Sequence, residues 1–256
     1  MSEPSNFQPI WQPKVQFIIG GTQKGGTTTL WQILRRHPKV FMPRNKCQDF
    51  FISNPITFTL ARNIEYDKHF SDVPAHQLCG EASASYIFYP HALRFIRHYN
   101  PEMKMIFVLR DPISRAYSHW NMGVQKSRET RPFMQAVKEE HQNLGWFSKK
   151  YHFSYTTRGL YADQCAYLFK LFRPDQLLFL RSKELRENNE ATVKKVCEFL
   201  KVGDHLKLPK KTAWHARKYS EPIDPKDRAE LIEFFRDDIK HLEKMLDWDC
   251  SDWLKP

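Results

Sequence analysis

A short apolar, β-branched run, Val15-Gln16-Phe17-Ile18-Ile19, closes on Gly20-Gly21 and leads through a brief polar loop into Thr27-Thr28-Thr29-Leu30-Trp31-Gln32-Ile33-Leu34. No other feature restricts the possible folds so strongly. A run this short, ended by glycines, predicts a buried strand and a tight turn. Leu30, Ile33 and Leu34 fall on one helical face, and His37-Pro38 stops the pattern. Strand, glycine-bearing loop and helix, in that order, open an α/β fold.

The same unit returns further along the chain. Lys104 to Leu109 reads as a second buried strand, and Arg110-Asp111-Pro112 then supplies an N-cap Asp and a Pro at the first helical position, with the helix running on through Val124. A third strand is predicted over 176–180, between helices over 162–172 and 190–200, the latter with Val193, Val196 and Leu200 on one face. Asp224-Pro225 starts a long amphipathic C-terminal helix with apolar residues at Ile232, Phe235, Ile239, Leu242 and Leu246. Residues 1–13, with Pro4, Pro9 and Pro13, read as a flexible arm ahead of a single domain over 14–256. The stretches 123–158 and 203–224 are richer in polar and turn residues and are expected to be substrate-facing loops.

Composition removes several function classes. With 41% hydrophobic and 14% aromatic residues in 256, the chain has the material for a core, so wholesale disorder is excluded. The longest apolar runs, such as Met105 to Leu109, fall far below a membrane span. The N-terminus lacks the basic start and apolar stretch of a secretion signal, so a cytoplasmic location is expected. Cys47, Cys79, Cys165, Cys197 and Cys250 are scattered, odd in number and without a CxxC, which argues against both a zinc site and a disulfide framework. A net charge of +11 attracts anions, but no recognition-helix, zinc-finger or RNP-like pattern supports a nucleic-acid partner.

The loop itself carries the chemistry. Gln23, Lys24, Gly25, Gly26, Thr27, Thr28 and Thr29 lie between strand and helix, where backbone amides and the positive helix end converge on an anion. Lys24 adds a full charge and the threonine hydroxyls can donate, so the segment is a phosphate cradle. It is not the G-x-x-x-x-G-K-[ST] loop of nucleotide triphosphatases, because Lys24 precedes Gly25-Gly26. Arg110 stands at the carboxyl end of its strand and Ser118 on the following helix, placed to grip a second phosphate. In open α/β sheets both segments would face one crevice beyond the strand ends.

PKVQFIIGGTQKGGTTTL resembles the 5′-phosphosulfate loop of the P-loop sulfotransferases, and VLRDPISRAYSHW resembles their 3′-phosphate segment. The resemblance continues through GEASASYIFYP, RGLYADQ and the C-terminal DPKDRAELIEFFRDDIKHLEKMLDWDCSDWL, and is nearest to the bacterial and heparan-sulfate-type branch. It implies a P-loop-type parallel β-sheet flanked by helices on both faces. It also implies the donor 3′-phosphoadenosine 5′-phosphosulfate (PAPS), and transfer of its sulfuryl group, without a metal, to a hydroxyl or less commonly an amine of a small-molecule or carbohydrate acceptor. Lys24 would serve the phosphosulfate, and Arg110 and Ser118 the 3′-phosphate. Arg217 and Lys218 lie where related enzymes carry a donor-gripping basic loop, and Tyr161 could touch donor or acceptor or belong to the core. Lys149-Lys150, Arg158, Lys210-Lys211 and Arg217-Lys218 would line a basic groove only if the fold gathers them.

The family commonly takes the acceptor proton with a Glu or His in a KEPHFF-like or EEIQFF-like stretch after the first helix. Here Lys46-Cys47-Gln48-Asp49-Phe50-Phe51 puts Cys47 where the Glu usually stands. In an extended segment Asp49 points to the same side as Cys47 and is the first candidate base; Cys47 itself would need a lowered pKa. Glu81, in GEASASY, is a further candidate near the cleft, or an ion-pairing partner that orients Lys24. His119 and Trp120 belong to a helix that must bury a face, and His119 reads as structural. Two other readings stay open: a P-loop kinase or NTPase, disfavoured by the absent GK[ST], and a homologue that binds donor without catalysis, suggested by Cys47.

Overall fold

Successive strand residues face opposite sides of a sheet, so a strand that is apolar at every position must be covered on both. In the computed structural model, which describes residues 11–46, 49–53, 59–142, 153–203 and 221–256, β1 (Phe17–Gly21) and, after its first residue Lys104, β4 (Lys104–Leu109) are such strands. With β2 (Val40–Phe41), β3 (Leu78–Ala82) and β5 (Leu177–Arg181) they form a parallel sheet in the order β2-β3-β1-β4-β5. Ile18 stands opposite Glu81 on one side and Met105 on the other, and Ile106 opposite Leu178.

The alternation divides the core into two layers. Phe17, Ile19, Ile106 and Val108 pack with Leu30 and Leu34 of α1 (Thr27–Leu34), Leu185 of α7 (Ser182–Glu187) and Val193 and Val196 of α8 (Asn189–Leu200). Ile18, Met105, Phe107 and Leu109 face the other way. They meet α3 (Pro90–Tyr99), α4 (Pro112–Gln125), α6 (Tyr161–Leu171) and the C-terminal α9 (Pro225–Leu246). The expected α/β architecture with helices on both faces is what the chain adopts. The predicted caps form as well: Asp111 accepts from the Ile113 amide at 3.0 Å and Asp224 from the Lys226 amide at 2.7 Å.

Differences from expectation have local causes. Within the 123–158 stretch read as loop, Phe133–Gln142 is a helix, α5, which buries Phe133, Ala136 and Val137. Trp11, inside the expected arm, packs edge-on to Tyr99 and donates from its indole nitrogen to Asp67 on α2 (Leu60–Lys68) at 2.7 Å. Strand β3 was hidden by Gly80 and Glu81, yet Gly80 is required there: a Cβ would lie 2.1 Å from the Phe17 ring on the neighbouring strand.

Candidate active site

The loop after β1 owes its shape to two glycines. Gly21 ends the strand, the Thr22 amide donates to the Val108 carbonyl at 3.1 Å, and the Gly25 amide donates back to Thr22 at 2.9 Å. A Cβ on Gly25 would sit 2.1 Å from the Val108 carbonyl oxygen, so only glycine lets the loop lie against β4. Gly26, with φ of 119°, takes the left-handed turn into α1 that other residues resist. The amides of Thr27, Thr28 and Thr29 thus open a helix, where no carbonyl one turn back can accept them.

Strand order then places the second motif beside the first. Because β4 adjoins β1, Arg110 emerges next to the loop, and its guanidinium donates to the Lys24 carbonyl at 3.4 Å. Sheet progression reverses between these strands, which is where open α/β folds collect ligands. Ser118 lies buried on α4, while Ser114, one turn earlier, donates to Asp111 at 2.6 Å. Arg228 of α9 pairs with the same Asp111 at 3.0 Å, tying the C-terminal helix to this end of α4. Beyond Arg110 a cleft of about 170 Å³ opens between the ends of β4 and β5, walled by Ser114, Arg181, Ser182, Lys183, Arg186 and Trp253.

Tyr161 is wholly buried, and its hydroxyl donates to the Arg110 carbonyl at 2.9 Å. It therefore fixes the strand end that presents Arg110 and has no face open to a ligand. Asp238 of α9 holds the same residue by accepting from the Tyr161 and Ala162 amides at 2.8 and 3.0 Å.

The segment after β2 carries two groups of interest. Asp49, at φ of 54°, is half-buried, and its amide donates to the Ser83 hydroxyl at 3.3 Å. Burial raises its carboxyl pKa, while the charges of Arg158 and Lys46 pull it back down. Lys46, which the sequence reading passed over, donates to Thr28 at 2.9 Å and Thr27 at 3.3 Å, at the very start of α1. Burial lowers its pKa to about 8, against the opposing pull of Asp49.

Glu81 lies beneath these residues and not on the cleft wall, which corrects its reading as a candidate base at the cleft. It is fully buried and accepts from Ser83 at 2.6 Å, Tyr86 at 3.0 Å and the Tyr66 hydroxyl. Burial raises its pKa to about 7 despite these donors, so near neutrality it is held partly protonated. Arg158 is likewise buried, stacks over the Phe88 ring at 4.5 Å and donates to the Tyr89 hydroxyl at 3.0 Å, so it does not line a surface groove. Glu140 of α5 sets its approach by accepting from both amides and both hydroxyls of Thr156 and Thr157.

His119 is buried, packs edge-on to Tyr155, and has its pKa pushed well down by burial and then by Arg115, Arg158 and Lys24, in keeping with a structural role. Cys47, Arg217, Lys218, Lys149-Lys150 and Lys210-Lys211 lie outside the described residues. Among the described residues no cluster of His, Cys, Asp and Glu could hold a metal ion, and no helix is long and apolar enough to cross a membrane.

Comparison with known proteins agrees with this geometry. The chain is similar to mouse bifunctional heparan sulfate N-deacetylase/N-sulfotransferase 3, 27% identical over 90% of this chain and 30% of that protein. It is similar to mouse carbohydrate sulfotransferase 15 at 25% identity, over 93% of this chain and 54% of that one. It thus spans about a third to a half of these curated relatives. A solved sulfotransferase from Alicyclobacillus acidocaldarius superposes with a TM-score of 0.82 at 27% identity, covering 94% of this chain and 99% of its own. The sulfotransferase domain model matches residues 14–221, and with the phosphate loop and Arg110 assembled as described, the chain belongs to the sulfotransferase family.

Proposed function

We propose that this sulfotransferase uses PAPS as donor and transfers its sulfuryl group to a hydroxyl, less commonly an amine, of a carbohydrate or small-molecule acceptor. The observation that carries the reading is the contact of Arg110 with the Lys24 carbonyl, which joins two anion-binding segments into one site. The donor set suits a ligand with two separated phosphates: one cradle of amides, hydroxyls and Lys24 at α1, and a second cation, Arg110, with Ser118 on α4. The cleft beyond Arg110 is the place for the nucleoside.

When bound, the donor supplies an activated sulfuryl group. Lys24 and the α1 amides put positive charge where negative charge builds on the leaving phosphate, the kind of preorganised field that lowers such barriers. Arg110 and Ser118 hold the remote 3′-phosphate and so contribute positioning. Asp49 takes the acceptor proton: burial makes its carboxylate a stronger base, and Arg158 and Lys46 keep it ionised. Arg217 and Lys218 complete the donor grip. The domain is a single unit over 14–256.

Calorimetry tests the donor. Tight binding of adenosine 3′,5′-bisphosphate with weak binding of ATP is expected; the reverse preference would restore the kinase reading. A screen of acceptors with labelled PAPS then fixes the acceptor class.

A further inference from the structure

A partly buried lysine ammonium is costly to desolvate, and threonine hydroxyls are poor counter-ions for it. Lys46 nevertheless directs its ammonium at two of them, 2.9 Å from Thr28 and 3.3 Å from Thr27, and both belong to the first turn of α1. A hydroxyl has one proton and two acceptor sites. When its oxygen accepts from a cation, the proton is left for another acceptor and is made a stronger donor by the adjoining charge. The first-turn amides point the same way, so an anion at this helix end meets amides, two polarised hydroxyls and the field of Lys46 together.

We infer that Lys46 is a positioning residue for the donor: it orients and polarises the Thr27 and Thr28 hydroxyls toward the 5′-phosphosulfate at the amino end of α1. The inference rests on the reading of that site as the phosphosulfate cradle. Lys46 is delivered by a segment that is anchored independently of the loop. The Asp49 amide is bonded to Ser83, and Phe50 and Phe51 pack on Tyr66 at ring separations of 4.8 and 4.7 Å. The same segment carries Asp49, the charged group facing Lys46, which keeps the ammonium protonated against the effect of burial. One stretch of chain thereby links donor polarisation to the candidate base.

The test is a double-mutant cycle read by calorimetry with adenosine 3′,5′-bisphosphate, on the parent, Lys46→Gln, Thr28→Val and the pair. Lys46→Gln should weaken binding about 10- to 100-fold, the range of one charge-assisted hydrogen bond, and Thr28→Val about 5- to 10-fold. The pair should be within about twofold of Lys46→Gln alone, because the hydroxyl works through the lysine. Lys46→Arg should recover most of the affinity, and melting temperatures close to the parent's show that the fold is intact. Parent-like binding by Lys46→Gln, or losses that simply multiply in the pair, would overturn the inference. If the parent itself ignores the bisphosphate and binds ATP, the donor reading fails instead, and the same cycle run with ATP still decides whether Lys46 acts through Thr28.

Discussion

Glu81→Gln isolates the one buried carboxyl beneath the site. In the fold its pKa is raised from an ordinary 4.5 to about 7, with burial the main cause and the Ser83, Tyr66 and Tyr86 hydroxyls opposing it. A raised folded-state pKa means that the stability contributed by the protonated carboxyl is fully present below pH 4.5, and is lost as pH rises through 7. At about 1.4 kcal/mol per pKa unit, that difference is worth about 3 kcal/mol across the interval. Gln reproduces the protonated shape and does not titrate. The stability of the parent minus that of Glu81→Gln should therefore fall by about 3 kcal/mol between pH 4.5 and 8, or about 6 to 12 °C in melting temperature for a chain of this size. Urea unfolding of both proteins across this range is the assay, and taking the difference removes the other carboxylates. A difference that stays flat with pH would refute the argument, because it would mean that the three hydroxyls outweigh desolvation and keep Glu81 ionised throughout.

Lys24→Ala and Arg110→Ala should both weaken donor binding, but only Lys24→Ala should also depress turnover at saturating donor, since Arg110 grips a remote phosphate; steady-state kinetics separates the two. Gly25→Ala should lower stability by about 2 to 4 kcal/mol by driving a Cβ into the Val108 carbonyl and breaking the turn bond to Thr22, and calorimetry should find no donor binding. Turnover should survive EDTA, because side chains and amides supply the positive charge; loss restored by magnesium would point to a kinase. Asp49→Asn should abolish turnover with little change in donor affinity, the small loss coming through Lys46, and full activity in that variant would pass the role of base to Cys47.

What could be read from the sequence was whatever central burial writes into consecutive residues. β1 and β4 are continuous apolar runs because both faces are covered, and the loop and Arg110 follow them at fixed offsets. β3 has the same burial but was illegible, since its Gly80 serves a ring on β1 and its Glu81 is satisfied by hydroxyls, that of Tyr66 coming from a separate helix. Tyr161 matched a family stretch, yet the signal reflected its grip on the Arg110 carbonyl. Lys46 sits in a two-sided segment with no periodicity. The available clue was that Lys46 opens the Lys46-Cys47-Gln48-Asp49-Phe50-Phe51 stretch, as Lys opens the KEPHFF-like family stretch.

The arrangement also explains why so many cations are kept under cover. Arg115 is fully buried with its pKa lowered to about 10, chiefly by burial, and its Nε and Nη1 find no partner among the described residues. Arg158 and Lys46 are shifted down for the same reason, and His119 is driven neutral. The nearby carboxyls offset them only in part: Glu81 is partly protonated and bound to hydroxyls, and Glu140, held by Thr156 and Thr157, acts on Arg115 and Arg158 from a distance. Asp49 faces Arg158 and Lys46, and the charge of Glu140 reaches Arg115 and Arg158, without restoring either arginine to its ordinary pKa. A fold that accumulates positive charge around a helix amino end, at a cost in desolvation and mutual repulsion, is shaped for a multiply charged anion more than for its own stability. The same field favours a bisphosphorylated nucleotide over a neutral nucleoside before any base contact is made. On the proposed donor reading, the same cations and amides lie where charge would develop on the leaving phosphate, so binding and rate enhancement would draw on one set of residues.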